Sequence, residues 1–417
     1  MSIDGSQRRG LHYGWVVLCA SVLVATGALG FGRFGYPVIL PSMKDGLALN
    51  YTETGLLATG NFIGYLAFSL IGGLVATRLS PRVVISVFLF IEGVSLLLTG
   101  FASDFYFAMA MRVVTGIGSG GSNVPIMGLA SSWFSVRKRG MATGTITGGI
   151  GLGLVVAGGY LPILMAAYAP VGWRYAWYFL GVLTILIGVV ALAVLRNRPE
   201  ERGLDPIGGR SAVPAASAPV ENEAIYRQGA FWHLAGIYIL FGFSYVIYST
   251  FFPAYISREA GMGDSFAGAL WALVGAISVV SGFLWGLVSD RWGRATGFAC
   301  VFGLQTVSYA CFAATTNVVG LYASAILFGL TAWSIPAIMA AACGDAFGPR
   351  RASAALGMVT MFFSMGQALA PAVGGPLADI TGTLVYGFAL AAVIAAMGVV
   401  GSLLLKPAKF GKLATVE

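Results

Sequence analysis

Residues 286–294 read GLVSDRWGR, and residues 73–82 read GLVATRLSPR. Setting Gly73 against Gly286 gives a separation of 213 residues, and other landmarks return near the same distance. Pro41 and Pro253 lie 212 apart, Pro125 and Pro336 lie 211 apart, and Arg139 and Arg351 lie 212 apart. A single pair of this kind means little. Four at nearly one offset describe two related halves in a chain of 417 residues.

Each half is a series of apolar runs. The chain is 58% hydrophobic and 10% charged, with 59 glycines and a mean hydropathy of +0.84. Runs of roughly 20 apolar residues, each enough to cross a hydrocarbon layer of ~30 Å as a helix, recur along its length. Twelve are expected: 13–41, 53–77, 83–103, 105–133, 140–168, 172–195, 230–256, 264–289, 296–314, 318–344, 352–379 and 383–405. The first is too long for a removable leader and lacks a small-x-small cleavage site, so it counts as span 1. The stretch RNRPEERGLDPIGGRSAVPAASAPVENEAIYRQG (196–229) breaks the apolar rhythm with Pro, Gly, Ala and charge. It reads as a flexible linker between residues 1–195 and residues 230–417.

Lysine and arginine sort by side. If the N-terminus is cytoplasmic, that side carries 19 basic residues and the opposite side only Lys44, Arg174 and Arg258, leaving Arg33 and Arg112 within the membrane. The positive-inside rule then puts both termini in the cytoplasm, with the chain in the inner (plasma) membrane. The net charge of +8 follows from this topology and carries no indication of nucleic acid. Cys19, Cys300, Cys311 and Cys343 fall inside apolar segments, read as small core hydrophobes, and point to neither a disulfide framework nor a metal site. With only His12 and His233, no histidine-based centre is expected. No Walker sequence or nucleophile-base pair appears, so neither an enzyme nor an ATP-driven pump is indicated, and no cofactor is expected.

GLVSDRWGR between spans 8 and 9 resembles the signature Gly-x-x-x-Asp-Arg-x-Gly-Arg of the major facilitator superfamily, met at Gly286, Asp290, Arg291, Gly293 and Arg294. The first-half copy departs from it, with Thr77 in place of Asp and Ser80 in place of Gly. RVVTGIGSGG from Arg112 is similar to that family's fourth-span motif. GRFGYPVILPSM, GNFIGYLA and GFSYVIYSTFFPAY resemble a branch of bacterial permeases of largely unassigned substrate. SSWFSVRKRGMATG is similar to a loop of monocarboxylate and oxalate-type carriers. The resemblance implies an all-α integral membrane fold of twelve transmembrane helices in two homologous six-helix halves. It also implies that spans 1, 4, 7 and 10 line a central cavity exposed alternately to either side. It further implies a gate latch at the linker end, with Asp290, Arg291 and Arg294 opposite Arg351, where Asp290 pairs with Arg351 to hold that end shut in the outward-open state.

Three ionisable residues lie deep in the spans: Arg33, Glu92 and Arg112. A charge facing lipid is costly, so such residues face a cavity or a partner. At 1.5 Å per residue Arg33 and Arg112 sit at similar depth, roughly 10–12 Å from one surface, where they can converge on one anion. Arg112, Gly116, Ser119 and Asn123 form one polar stripe on span 4, and Thr26, Gly30, Arg33 and Tyr36 form another on span 1. The offset matches Arg33 with Tyr245 and Tyr36 with Tyr248, while Trp333 in span 10 completes the wall. The expected substrate-binding set is Arg33, Tyr36, Arg112, Asn123, Tyr245, Tyr248 and Trp333. Asn61, Tyr65, Gln305 and Gln367 read as hydrogen-bond glue between helices, and Glu92 as a structural partner, with Arg112 as one candidate.

The reading is a monomeric secondary transporter of a small organic anion, a carboxylate, because a guanidinium binds a carboxylate through two hydrogen bonds and keeps its charge. Proton symport has no evident carboxylate in spans 1, 4, 7 or 10 and rests on Glu92, on a protonated substrate, or is absent. The alternative is an exporter of amphipathic or aromatic compounds, and a third reading is a membrane sensor.

Overall fold

A computed structural model describes residues 12–209, 225–348 and 351–405. Both chain ends, the linker residues 210–224 and Arg350 lie outside the described residues, as does the side chain of Thr77. Span 1 consists of α1 (Tyr13–Ala25), a π-helical stretch (Thr26–Phe31) and α2 (Tyr36–Gly46). Spans 2 to 6 are α3 (Tyr51–Arg78), α4 (Pro81–Gly100), α5 (Phe105–Trp133), α6 (Val136–Ala167) and α7 (Gly172–Val194). Span 7 is α8 (Gly229–Ala254) with a π-helical end (Tyr255–Glu259), and span 8 bends by 44° between α9 (Gly263–Ser278) and α10 (Ser281–Trp292). Span 9 is α11 (Arg294–Ala314), span 10 breaks between α12 (Val318–Thr331) and α13 (Ser334–Phe347), and spans 11 and 12 are α14 (Ala352–Thr381) and α15 (Val385–Leu403). Ten of these passages are long and apolar enough to cross a membrane, and the bent span 8 makes eleven. The remaining one, span 4, is 29 residues long and buries Arg112.

Span 1 runs as one passage from Tyr13 to Gly46, but its helical hydrogen bonding is interrupted midway. The widened turn at Thr26–Phe31 runs into residues outside regular helical hydrogen bonding before α2 starts at Tyr36, with Pro37 in its first turn. The cause is packing on span 5. Thr26 Oγ1 donates to Gly149 O at 2.9 Å, and Gly30 lies so close to the backbone of Gly153 that neither position has room for a side chain.

Two expectations need correction. The segment 196–209 is folded rather than a flexible tether: Ile207 exchanges backbone hydrogen bonds with the turn after span 4, donating to Trp133 O at 2.9 Å and accepting from Ser135 N at 3.0 Å. Arg202 lies over the Tyr13 ring, and Ile207 packs in a buried cluster with Trp133 and Phe134. Cys19 and Cys300 are exposed on the helix surface and do not belong to the core, whereas Cys343 does. Apolar surroundings in sequence do not say which face of a lipid-immersed helix a residue takes.

The first six spans and the last six meet at one end among the described residues. At the end remote from the linker, Arg258 pairs with Asp45 at 2.9 Å, and Asp379 accepts from Tyr51 N and Thr52 N at 2.9 and 2.7 Å. Deeper in, Thr59 Oγ1 donates to Ala368 O at 2.8 Å and Trp271 Nε1 to Phe34 O at 3.0 Å. Gly158 and Gly151 of span 5 press on Gly268 and Gly275 of span 8. Further along the same stripe toward the linker end, Gly144 and Gly140 have open space before them, and Ile63 and Met365 on the facing stripes of spans 2 and 11 are exposed. The bundle is therefore closed at the far end and parted at the linker end.

Candidate functional site

The break in span 1 creates the site. Over Gly32–Gly35 the regular helical hydrogen bonding is interrupted while the backbone stays near helical angles, and the Arg33 side chain lies inside the bundle, only 7% exposed. Its guanidinium carbon lies 4.5 Å from the ring centre of Phe62 and 4.2 Å from that of Tyr65, both on span 2. Aromatic faces attract a cation but offer no hydrogen-bond acceptor. Nε and Nη2 of Arg33 are buried and have no partner among the described residues.

Arg112 approaches from span 4. Its Nη1 donates to Gly32 O at 2.8 Å, filling a carbonyl freed by the break, and its Nε has no partner among the described residues. The guanidinium lies 4.7 Å from the Tyr36 ring and 5.4 Å from that of Trp177. Arg33 and Arg112 line one narrow cavity with Tyr36, Asn61, Ser249 and Thr250. Two cations thus face a single space, each with a donor free.

Of the residues expected in the site, Tyr36 lines this cavity and donates its hydroxyl to Thr54 O at 2.7 Å. Tyr245 lies within hydrogen-bonding reach of Arg33 and accepts from Gln367 Nε2. It also stacks on Phe241 and Phe363 and meets Trp333 edge-on at 6.3 Å. Trp333 meets Phe34 edge-on with ring centres 5.0 Å apart, and its indole Nε1 has no partner among the described residues. Asn123 joins indirectly, donating to Tyr65 Oη at 3.0 Å.

Tyr248 is not brought to the cavity. Its hydroxyl meets Ser324 Oγ at 2.6 Å, and its ring packs among Tyr309, Phe312, Phe328 and Phe388 inside the last six spans. The span 4 stripe also divides: Gly116 faces span 2 and Ser119 faces Glu92 on span 3, so only Arg112 reaches the cavity directly. Tyr65 and Phe62 are the contacts that sequence reasoning missed. The pattern GNFIGYLA places both rings on one helical face, but nothing in it indicates a cation beneath them.

At the linker end Asp290 pairs with Arg294, and Arg294 also reaches Asp345 at 2.7 Å and Ser289 Oγ at 2.8 Å. Arg351 makes no ion pair among the described residues, and Arg291 is exposed. The Asp290–Arg351 latch is expected of the state closed at the linker end; with that end parted, Asp290 lies in an Asp290–Arg294–Asp345 cluster. Asp345 lies in the last turn of α13, where it reaches Arg294 at the start of α11.

This combination, a multi-pass helical bundle open at one end with a polar centre built on broken helices, defines a membrane transporter. Residues 25–403 match the family described as uncharacterised MFS-type transporter YbfB, and the chain belongs to that family. It is 25% identical to a probable sulfoacetate transporter of Cupriavidus necator, the match covering 94% of this chain and 93% of the relative. It is 22% identical to a hexuronate transporter of Bacillus subtilis, over 88% and 90% of the two chains. Its fold is similar to the crystal structure of a bacterial homologue of the human lysosomal transporter Spinster, inward-facing and unoccupied. That likeness has a TM-score of 0.77 at 16% identity and covers 95% of this chain and 97% of the other.

Proposed function

We propose that the protein is a secondary active carrier of a small organic anion, a carboxylate or similar acid, working by alternating access of two halves, 1–195 and 230–417, joined by 196–229. The observation that carries this reading is Arg33: a buried cation with two unpartnered N–H groups, sharing a cavity with Arg112. A buried cation without a counter-charge is costly, and an anion with two acceptor oxygens relieves that cost. The aromatic wall of Tyr245, Phe363 and Trp333 takes the uncharged remainder of the substrate. Relatives named for sulfoacetate and hexuronate transport support the same class. The excess of basic residues at the linker end supports a cytoplasmic position for both termini in the plasma membrane.

Thermal stabilisation of the purified protein by small mono- and dicarboxylates, sulfonates, inorganic anions and aromatic cations tests the reading, with Arg33→Ala in parallel. Organic anions should stabilise the wild type, and the variant should bind them about ten- to a hundredfold more weakly, the worth of charge-assisted hydrogen bonds. Stabilisation by aromatic compounds alone, equal in the variant, would overturn it in favour of an exporter.

A further inference from the structure

Beside the two arginines lies a group that anion binding does not use. Glu92 of α4 is wholly buried, accepts from Ser119 Oγ at 2.8 Å through Oε1, and leaves Oε2 without a partner among the described residues. Its other wall is the break in span 1, where a Cβ on Gly32 would collide with Oε1. The carbonyl of that same glycine holds Arg112. Glu92 therefore sits one residue's width from Arg112 and makes no ion pair with either arginine among the described residues. Arg112, one candidate partner offered by the sequence, is thus not in direct contact with it as an ion pair among the described residues.

The fold itself indicates that this charge is not structural. At the 213-residue offset Glu92 corresponds to Gln305, which is likewise wholly buried between spans 9 and 10 and donates to Thr331 O at 3.5 Å. Thr331 in turn corresponds to Ser119 at 212. An uncharged amide thus fills the equivalent position in the same kind of helix packing. A single hydroxyl donor also leaves an ionised carboxylate half-satisfied, whereas the protonated acid has fewer acceptor sites to satisfy.

We propose that Glu92 is the proton-binding site of the carrier, and that a proton there and an anion at Arg33 and Arg112 stabilise one another. The proposal rests on the anion-carrier reading. The charged groups acting on Glu92 are Arg112 from span 4 and Arg33 from the break in span 1. Span 6 also packs on span 3, but its Arg174 is turned to the carbonyls of Gly100 and Ala102, and span 2 carries Glu53 and Arg78 at its two ends. With Glu92 ionised the three groups sum to a single positive charge; with Glu92 protonated the two cations are unopposed and hold an anion more tightly. Linkage is reciprocal, so the bound anion also holds the proton, and the two cross together.

The test is isothermal calorimetry on the full chain and on Glu92→Gln, between about pH 6 and 8.5, where carboxylates and sulfonates keep constant charge. The probes are sulfoacetate, a hexuronate and simple mono- and dicarboxylates. The wild type should lose affinity as pH rises, by up to about tenfold per pH unit, and should take up a proton on binding, read from two buffers of different ionisation heat. Glu92→Gln should bind with no pH dependence and no proton uptake. A wild type without slope or uptake overturns the proposal, and so does a variant that keeps the slope. Should the variant fail to fold, proton uptake by the wild type decides alone. If no probe binds the wild type at any pH, the anion-carrier reading falls and takes this proposal with it, a result distinct from binding without linkage.

Discussion

At the offset of 212 or 213 residues, Arg33 of the first six spans corresponds to Tyr245 of the last six, Glu92 to Gln305, Arg112 to Ser324 and Gly32 to Ser244. In the last six spans these positions are neutral: Ser324 Oγ meets the Tyr248 hydroxyl at 2.6 Å and donates to Ser308 O at 2.8 Å, and Gln305 Nε2 donates to Thr331 O at 3.5 Å while its Oε1 has no partner among the described residues. In the first six spans the same level of the bundle holds three charges, and Arg33 Nε and Nη2, Glu92 Oε2 and Arg112 Nε all lack partners among the described residues. Packing at this depth is thus solved without charge in one half. The charge in the other half is an addition, and its incomplete bonding is what leaves it free to meet a ligand.

Replacing Arg112 with the serine of the equivalent position breaks this comparison most severely. Arg112→Ser removes the donor to Gly32 O and half of the cation pair while leaving Glu92 behind. Truncating one member of a buried charged cluster costs about 3–5 kcal/mol, so the variant should unfold at markedly lower temperature and lose transport. Adding Glu92→Gln should restore part of the stability and none of the transport, since the double variant approaches the neutral arrangement of the last six spans. Equal stability of the single variant and the wild type would mean that the charges are solvated rather than coupled.

The spans were legible because hydropathy and the membrane's thickness fix their number and length. Arg33 and Arg112 stood out for the same reason, as charges in apolar runs. Two things were not legible. The π-helical turn of span 1 depends on Gly153 of span 5 approaching Gly30, a contact between helices more than a hundred residues apart, and without it Arg33 has no defined direction. The offset located Tyr248 as the counterpart of Tyr36 but said nothing of rotation. The Tyr36 ring is drawn to the cavity by Arg112, whereas the serine at the equivalent position accommodates the Tyr248 hydroxyl inside its own half.

A smaller effect is expected where the last six spans do contribute charge to the first six, at the far end. The Asp379 carboxylate accepts from Tyr51 N and Thr52 N, and from Thr52 Oγ1 at 2.6 Å, so it caps the start of α3 from the other side of the bundle. A cap of this kind contributes about 0.5–2 kcal/mol. Asp379→Ala should therefore favour opening at the far end by on the order of fivefold, read as faster labelling of a cysteine introduced among the far-end residues. The neighbouring Arg258–Asp45 pair is 35% and 58% exposed and should matter less.

The smallest effect separates the two tyrosines that the sequence treats alike. Tyr248→Phe removes one hydrogen bond from a buried network in which Ser324 still donates to Ser308 O, so the cost to stability should be about 0.5–1.5 kcal/mol. Because the ring is enclosed by Tyr309, Phe312, Phe328 and Phe388, anion binding should not change. Tyr245→Phe removes a hydroxyl within reach of Arg33 and held by Gln367, and it should weaken anion binding at comparable stability. The informative quantity is the difference between the two variants in the same thermal assay. A Tyr248 variant that lost anion stabilisation as the Tyr245 variant does would mean that the neutral half takes part in binding and is more than a scaffold.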